Sequence, residues 1–552
     1  MEYIQSPIVY PAVNHNVPFP KTFLDAIDRY GTDQAIVDTE TGATITYNQI
    51  KQQSYQLANE FSKKFGMKKS DVLATYMENR PEFIPVFLGA SLCGATVTGI
   101  NQLYTKYEIA HLFEDSGVKF LLTTSHFLPT VDAAVKLMKN TQAVEVIFLQ
   151  DTLSASSRHI QIANRCIPLA ELIDWNKTDA LEVNTCFDPA KDVLFLPYSS
   201  GTTGSPKGVM LSHANCNTYL TSGIAPRRRD RALVLLPFIH IGGCAYMFGC
   251  LYNGAQTYII PKYEPKIFVE VISKYKINAM LLVPSVMVML TKSVLSQKYD
   301  LSSLNTIVFG AAPAGKELVQ ELIKLFPSLK CLRQAYGLSE GGIAVAGPDV
   351  PIERVNPVSI GLPLQDVKIR VVSEANKDRM AQPFEKGEIL IKSPGVMLGY
   401  LNRSQQTLEA VDEHGWLHTG DLGHYDHSGM LFITDRLKEL IKYKGYQVAP
   451  AELEDILLNH QAILEVAVTG ISHPVDKNIG ELPTAFVLLK PGFKPSKVIE
   501  NELLSLVNEK VAPYKQLRGG IKFLTELPKT ITGKIQRVQV RENAKKLTQS
   551  KY

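Results

Sequence analysis

Residues Val193 to Gly208 read VLFLPYSSGTTGSPKG. Four apolar residues of strand character run into Pro197, and small hydroxyl residues, glycines and a single lysine follow at once. A glycine-rich loop leaving the carboxyl end of a strand is where open α/β sheets bind ligands. Gly201, Gly204 and Gly208 let the backbone come close to a ligand and turn its N–H groups toward anionic oxygens. Ser199, Ser200, Thr202 and Thr203 add hydroxyl donors, and Lys207 adds a positive charge. The set suits a polyphosphate. A flexible linker of the same composition seldom follows a strand directly. The common nucleotide P-loop is excluded, because its second glycine is followed by Lys and then Ser or Thr.

Working outward from this loop, short β-forming runs recur at 72–76, 118–122, 144–149, 233–236, 257–260, 280–283 and 306–309. Segments of helical spacing such as 268–275 and 317–326 lie between them. Strand and helix in alternation predict parallel sheets covered on both faces, a doubly wound α/β architecture. Near the N-terminus, 35–38 and 43–47 flank the turn TETG and predict a hairpin. From about 351 to 435 the pattern shifts to strands without long helices (367–372, 387–391, 430–433), a small β-rich subdomain. Helices at 451–459 and 498–511 with strands at 464–470 and 484–489 then predict a separate α+β unit. The expected division is a large N-terminal domain, 1–435, and a mobile C-terminal domain, 436–552, meeting at Asp435-Arg436.

Composition sets the outer limits. The chain has 552 residues, 45% hydrophobic and 20% charged, with 58 Lys+Arg against 54 Asp+Glu and a formal net charge of +4. That excess is too dilute over this length to make nucleic acid or an anionic membrane the main partner. Seven cysteines, with no Cys-x-x-Cys pair, read as reduced core residues of an intracellular protein. The opening segment has an early acid and prolines where a secretory signal needs basic and then apolar residues. The apolar run 232–254 is long enough for a bilayer, but Pro237, His240, four glycines and the preceding arginines at 227–229 and 231 make it buried core. The final Ser550-Lys551-Tyr552 matches the peroxisomal Ser-Lys-Leu address in two of three positions. Cytoplasm or peroxisome is the expected compartment.

Further motifs follow in order: FGAAPAGKEL (309–318), QAYGLSE (334–340), GWLHTGDLGHYD (415–426), DRLKELIKYKGYQVAPAELE (435–454) and PKTITGKIQR (528–537). Together with YSSGTTGSPKG they resemble the signature motifs of the adenylate-forming superfamily of acyl-CoA synthetases, 4-coumarate:CoA ligases, luciferases and peptide-synthetase adenylation domains. The resemblance runs through most of the chain and is nearest to the 4-coumarate:CoA ligase-like acyl-CoA ligases. It implies an enzyme that joins a small carboxylic acid to coenzyme A, with ATP cleaved to AMP and pyrophosphate through an acyl-adenylate. Neither half-reaction needs a protein nucleophile; positioning and charge neutralisation suffice.

The resemblance also implies roles. The loop from Ser199 to Thr203, with Lys207, would cradle the ATP phosphates; Gly310, Ala311, Ala312, Gln334, Ala335, Tyr336 and Gly337 would hold adenine. Ser339 would meet the α-phosphate, Glu340 would hold Mg²⁺, and Asp421 with Arg436 would meet the ribose. One carboxylate completed by phosphates and water is a site that Mg²⁺ prefers. Ala335 stands where many relatives have glycine. Lys534 would bridge acid and ATP during adenylation, and Lys438 would mark the hinge. Lys442, Lys444 and Gly445 would serve the thiol step, and Lys262 would meet the CoA phosphates. His240 would sit beside the carboxylate. Gly242 and Gly243, where 4-coumarate:CoA ligases carry a tyrosine at the first position, and Gly341 and Gly342 would open a roomy apolar pocket. A medium or long acyl chain or a bulky aromatic or side-chain-extended acid is the expected substrate. A luciferase-like oxidase, a carrier-protein-loading adenylation enzyme and an inactive scaffold relative are the competing readings; retention of Lys207, Glu340, Asp421 and Lys534 weighs against the last.

Overall fold

The computed structural model describes residues 3–6, 13–138, 145–149, 166–173, 185–199, 206–312, 314–373, 379–437, 439–443, 446–472, 480–511, 513–530, 533, 535–537 and 539–543. The expected peroxisome-like tail, Lys438, Lys444, Gly445, Lys534 and the loop residues from Ser200 to Ser205 lie outside them, and for Lys442 only the backbone is described.

Two nine-stranded sheets dominate. In the first, Val72–Tyr76 lies at the centre between the parallel strands Thr96–Gly99 and Val118–Thr124, and Val193–Leu196 joins beyond Thr96–Gly99. Lys207–Ser212 then folds back antiparallel onto Val193–Leu196, and the short strand Gly399–Tyr400 pairs with it. In the second sheet the parallel run is Gln34–Asp38, Gln256–Ile259, Arg231–Val234, Ala279–Leu282, Thr306–Gly310 and Cys331–Leu338. Both central runs are almost continuously buried, as strands covered on two faces must be.

The predicted hairpin forms from Gln34–Asp38 and Thr44–Thr46. The apolar run 232–254 divides into the strand Arg231–Val234 and the helix Ile241–Tyr252, whose residues from Gly243 to Leu251 are all buried. Among the described residues no helix is long and apolar enough to cross a membrane. Cys93, Cys216, Cys244 and Cys250 are buried and unbonded, whereas Cys186 is exposed.

A third, antiparallel sheet holds Lys368–Ser373, Gly387–Lys392, Leu417–Tyr425 and Leu431–Arg436. Sequence reading does not find Leu417–Tyr425, because Thr419, Gly420 and Asp421 interrupt its apolar alternation. The helix Ser404–Ala410 is also unforeseen. The remaining chain builds a three-stranded sheet of Ile463–Ser472, Glu481–Leu489 and Ile521–Leu524, covered by the helices Pro450–Leu458 and Lys497–Lys510 around its own apolar cluster.

The largest core cluster contains an aromatic knot that locks the N-terminal helix Phe19–Ile27 to the helices Phe83–Leu92 and Ile241–Tyr252. Phe248 meets Phe19 and Phe23 edge-on, at 5.2 Å each, and Phe87 at 5.0 Å. These geometries suit ring quadrupoles and add to the area buried. Replacing Phe248 with Ala is expected to cost about 3–5 kcal/mol through lost burial and the cavity left behind. A lowered denaturant midpoint, followed by circular dichroism, checks this.

Candidate active site

The expected phosphate, metal and ribose residues lie where the two large sheets and the third sheet approach one another. Tyr198–Ser199 and Lys207–Ser212 pair antiparallel, with Ser199 opposite Lys207, so the two ends of the glycine loop stand side by side. Facing them is the hairpin Cys331–Leu338 and Gly342–Ala346, with Glu340 in its turn. That hairpin has a bulge after Tyr336, and Gly337 is needed there: a Cβ on it would lie 2.3 Å from the Gly342 carbonyl oxygen. Gly342 has φ of +70°, which glycine adopts without strain.

Glu340 is the meeting point. Ser199 Oγ donates to its Oε1 at 3.1 Å, and Tyr400 Oη donates to the same oxygen at 2.9 Å. Lys207 Nζ stands 5.0 Å from the centre of the Tyr400 ring. Burial and the neighbouring Glu340 carboxylate push the Tyr400 hydroxyl far above the usual phenol range, so it stays a donor. A carboxylate and a serine hydroxyl are hard oxygen donors, the kind that Mg²⁺ takes, so the residues present fit that ion.

Deeper in, Asp421 is almost wholly removed from water. Its Oδ2 accepts from Tyr336 Oη at 2.6 Å and its Oδ1 from Arg436 Nε at 2.6 Å. The strand ladder sets the second contact, since Asp421 and Arg436 are direct partners across the antiparallel pair. Burial, and then the Asp421 carboxylate, hold the Tyr336 hydroxyl protonated. Thr419 supports the turn by donating to the Ile389 carbonyl at 2.6 Å while its Oγ1 accepts from Asp421 N–H at 3.0 Å.

Gly310, the last residue of its strand, is the register partner of Ala335, and a Cβ on Gly310 would come within 2.4 Å of the Ala335 carbonyl oxygen. Ala311 follows with φ of +67°, an uncommon conformation for alanine that keeps the backbone turned at the strand end. Ala312 and Gln334 are half-buried beside this edge, and Ser339 stands one residue before Glu340. Lys262 is exposed after the strand Gln256–Ile259. In the arginine cluster, Arg228 pairs with Asp33 at 2.9 Å and Arg231 donates to the Tyr275 carbonyl at 3.0 Å.

His240 caps the start of the helix Ile241–Tyr252. Its ring Nε2 is sealed from solvent with no hydrogen-bond partner among the described residues, and burial lowers its pKa to about 4. Gly243 lets the start of the helix pack against the loop before it, since a Cβ there would lie 2.2 Å from the Pro237 carbonyl oxygen. Gly242 differs: a Cβ on it would meet nothing within 4 Å, so this face of the helix borders open space. Gly341 is hemmed in, with Leu417 Cδ2 2.9 Å from a Cβ built there.

Three contributors escaped sequence reading. Tyr400 reaches Glu340 from 60 residues away. Asp115 accepts from Tyr198 Oη at 2.9 Å and pairs with Arg403 at 3.3 Å, which fastens the start of the glycine loop. Nothing local marks these side chains; only the Gly399-Tyr400 pair, with its strand-breaking glycine, hints at a special position.

The family model for the AMP-binding enzyme matches residues 23–401, and that for the AMP-binding enzyme C-terminal domain matches 452–534. The chain therefore belongs to the AMP-binding enzyme family, the adenylate-forming enzymes that use ATP, Mg²⁺ and CoA. Within it, the chain is an AMP-forming CoA ligase. It is 37% identical to a probable 4-coumarate–CoA ligase 1 of Dictyostelium discoideum, over 87% of each chain. It is 35% identical to 4-coumarate–CoA ligase 1 of Arabidopsis thaliana, over 93% of this chain and 90% of that one. The fold matches an anthranilate CoA ligase, AuaEII, in complex with anthranoyl-AMP, with a TM-score of 0.82 at 24% identity over 96% and 98% of the two chains. ATP-bound MatB of Rhodopseudomonas palustris matches with a TM-score of 0.80 at 23% identity, over 97% and 100%.

The half-buried imidazole of His240, with its Nε2 sealed from water, carries a pH signature. With its folded pKa near 4 against 6.5 for a free side chain, the unfolded chain binds the extra proton first. The contribution of His240 to stability is therefore level above pH 6.5 and falls as pH drops toward 4. Thermal midpoints of a His240→Asn variant over that window should fall less steeply than those of the parent; His213, also lowered to about 4 by burial, adds a slope of the same sign, and Asp435, raised to about 6 by burial, opposes it in both proteins.

Proposed function

We propose that the protein activates a hydrophobic carboxylic acid, of medium or long chain or of bulky aromatic or side-chain-extended form, and passes it to coenzyme A. The carrying observation is the convergence of two groups: Glu340 with Ser199, Tyr400 and Lys207, and Asp421 with Tyr336 and Arg436. The first provides oxygen donors and a cation for a metal-bound polyphosphate. The second provides an oriented, buried carboxylate for two ribose hydroxyls and an aromatic ring for a base.

In the first half-reaction a carboxylate oxygen of the acid attacks the α-phosphorus of ATP; the bond to the β-phosphate oxygen breaks and pyrophosphate leaves. In the second, the thiolate of CoA attacks the acyl carbon and AMP leaves as the acid–phosphate bond breaks. Glu340 would hold Mg²⁺, which when bound would supply charge neutralisation on the phosphates. Lys207 and the glycine loop grip the departing pyrophosphate. Ser339 lies within the turn that places Glu340 and faces the α-phosphate. His240, neutral at physiological pH, stands beside the reacting carboxylate as a hydrogen-bonding group without adding charge. Preorganised donors aimed at developing charge in a shielded site account for acceleration of this kind.

Lys534 assists adenylation by bridging acid and nucleotide, and Lys442, with Lys444 and Gly445, belongs to the thiol step. The C-terminal unit turns about Asp435, Arg436 and Lys438 between the two. Its present position is compatible with the first step: a Cβ on Gly533 would lie 2.6 Å from Ser285 Oγ, so Gly533 is seated on the large domain. Lys262, exposed after the strand Gln256–Ile259, meets the CoA phosphates in this reading.

The open face at Gly242 supports a wide acid pocket. Pyrophosphate release across a panel of acids, with and without CoA, tests the reading; release without acyl-CoA formation, or no acid accepted, overturns it. Gly242→Phe is expected to cut kcat/KM for the bulkiest accepted acid at least about tenfold, while the smallest is affected little. Lys534→Ala should slow pyrophosphate release about 10²–10³-fold and leave thiolysis of supplied acyl-adenylate nearly intact. Lys442→Ala should do the reverse, and equal loss of both steps in that variant would refute the division of labour.

A further inference from the structure

We propose that Tyr400 is a positioning residue that holds the metal-binding acid and the phosphate lysine apart before substrate arrives; the proposal rests on the roles assigned above to Glu340 and Lys207. A carboxylate and an ammonium at one half-buried site attract strongly, and a closed pair between them would have to be broken before Mg²⁺ and ATP could bind. No ion pair within 4.0 Å joins Lys207 to Glu340 among the described residues. Tyr400 meets both instead. Its hydroxyl donates to Glu340 Oε1, the oxygen that also accepts from Ser199, so both described side-chain donors use one oxygen and leave Oε2 for a cation. Its ring gives Lys207 Nζ a resting place at 5.0 Å, a cation–π contact that the ammonium can leave without breaking an ion pair.

The backbone makes Tyr400 rigid enough for this. Tyr400 is the register partner of Val209, two residues along the strand from Lys207, and the flanking bonds Leu398 N–H to Met210 and Leu401 N–H to Gly208 are both 2.9 Å. Tyr400 N–H donates to Thr407 Oγ1 at 2.9 Å. Gly399 has φ of +146°, and a Cβ on it would lie 2.7 Å from Thr407 Cγ2, so the strand's approach to Ser404–Ala410 needs glycine there. On the other side, Met397 N–H donates to the Glu340 carbonyl at 2.9 Å, tying the same segment to the backbone of the acid it positions.

Two variants separate the two functions of the side chain. Tyr400→Phe keeps the ring and removes the donor; Tyr400→Leu removes both. Binding of α,β-methylene-ATP is measured by titration calorimetry over a range of Mg²⁺ concentrations, so the readout does not depend on turnover. For Tyr400→Phe the Mg²⁺ concentration giving half of the maximal nucleotide affinity should rise about tenfold, as expected for loss of a hydrogen bond to a charged group, while affinity at saturating Mg²⁺ stays within about twofold. For Tyr400→Leu both quantities should worsen. Thiolysis of supplied acyl-adenylate, which needs neither pyrophosphate nor its metal, should change little in either variant. A Mg²⁺ profile for Tyr400→Phe that overlays the parent overturns the proposal, as does an equal loss in nucleotide binding and thiolysis, the pattern of a merely structural defect. Glu340→Gln run alongside distinguishes the two levels: if it too keeps the parental Mg²⁺ profile, the metal role of Glu340 fails and the proposal with it. If it loses Mg²⁺ dependence while Tyr400→Phe does not, only the role of Tyr400 falls. Should Tyr400→Leu not fold, the Phe variant alone decides.

Discussion

Asp421 is a carboxylate nearly stripped of water, and its two side-chain contacts hold the third sheet in register with the second large sheet. Removing an ion from water costs several kcal/mol unless partners with good geometry replace the solvent. Here those partners come from different elements: Tyr336 from the second large sheet and Arg436 from the end of the third sheet, at the junction with the C-terminal unit. Losing Arg436 would leave the buried carboxylate without its cation, and losing Tyr336 would leave one oxygen short of a donor, so these elements cannot shift independently without a cost to stability. The same demand leaves two oxygens presented at fixed positions, which is what recognition of a diol needs.

The second constraint is opposite in kind. Around Glu340 the structure keeps charges available rather than neutralised, with hydroxyl donors on one carboxylate oxygen and the lysine on an aromatic face. Ser199 and Tyr400 belong to the first large sheet and its appended strand, and Glu340 to a hairpin of the second. The meeting of two sheets therefore defines the proposed metal and phosphate site. Glycines sit at the joints: Gly337, Gly342 and Gly399 each occupy a position where backbone approaches within contact distance or turns left-handed.

Much of the α/β framework was legible because buried parallel strands are short apolar runs with recognisable ends; Val72–Tyr76 and Val193–Leu196 match the expected bounds residue for residue. Leu417–Tyr425 was not, since a strand that carries a buried carboxylate and a glycine loses the alternation by which strands are found. Among site residues, Glu340, Asp421, Arg436 and Lys207 stand in motifs and were legible. Tyr400, Asp115 and Arg403 were not, because their contacts cross 60 or more residues of chain and leave no local trace.

By itself the sequence determined the class of fold, the order of the motifs and the chemistry they bear, since strand and helix periodicity and side-chain identity are local properties. Only the tertiary structure decided that Ser199 and Tyr400 share one oxygen of Glu340, that Asp421 lies between a tyrosine and an arginine, and that the Gly242 face is open while Gly341 is packed. The physical reason is that burial, hydrogen-bond pairing and free space arise from close packing between distant segments. Where two sheets must interlock, a side chain acquires its role from neighbours that its own stretch of sequence does not contain.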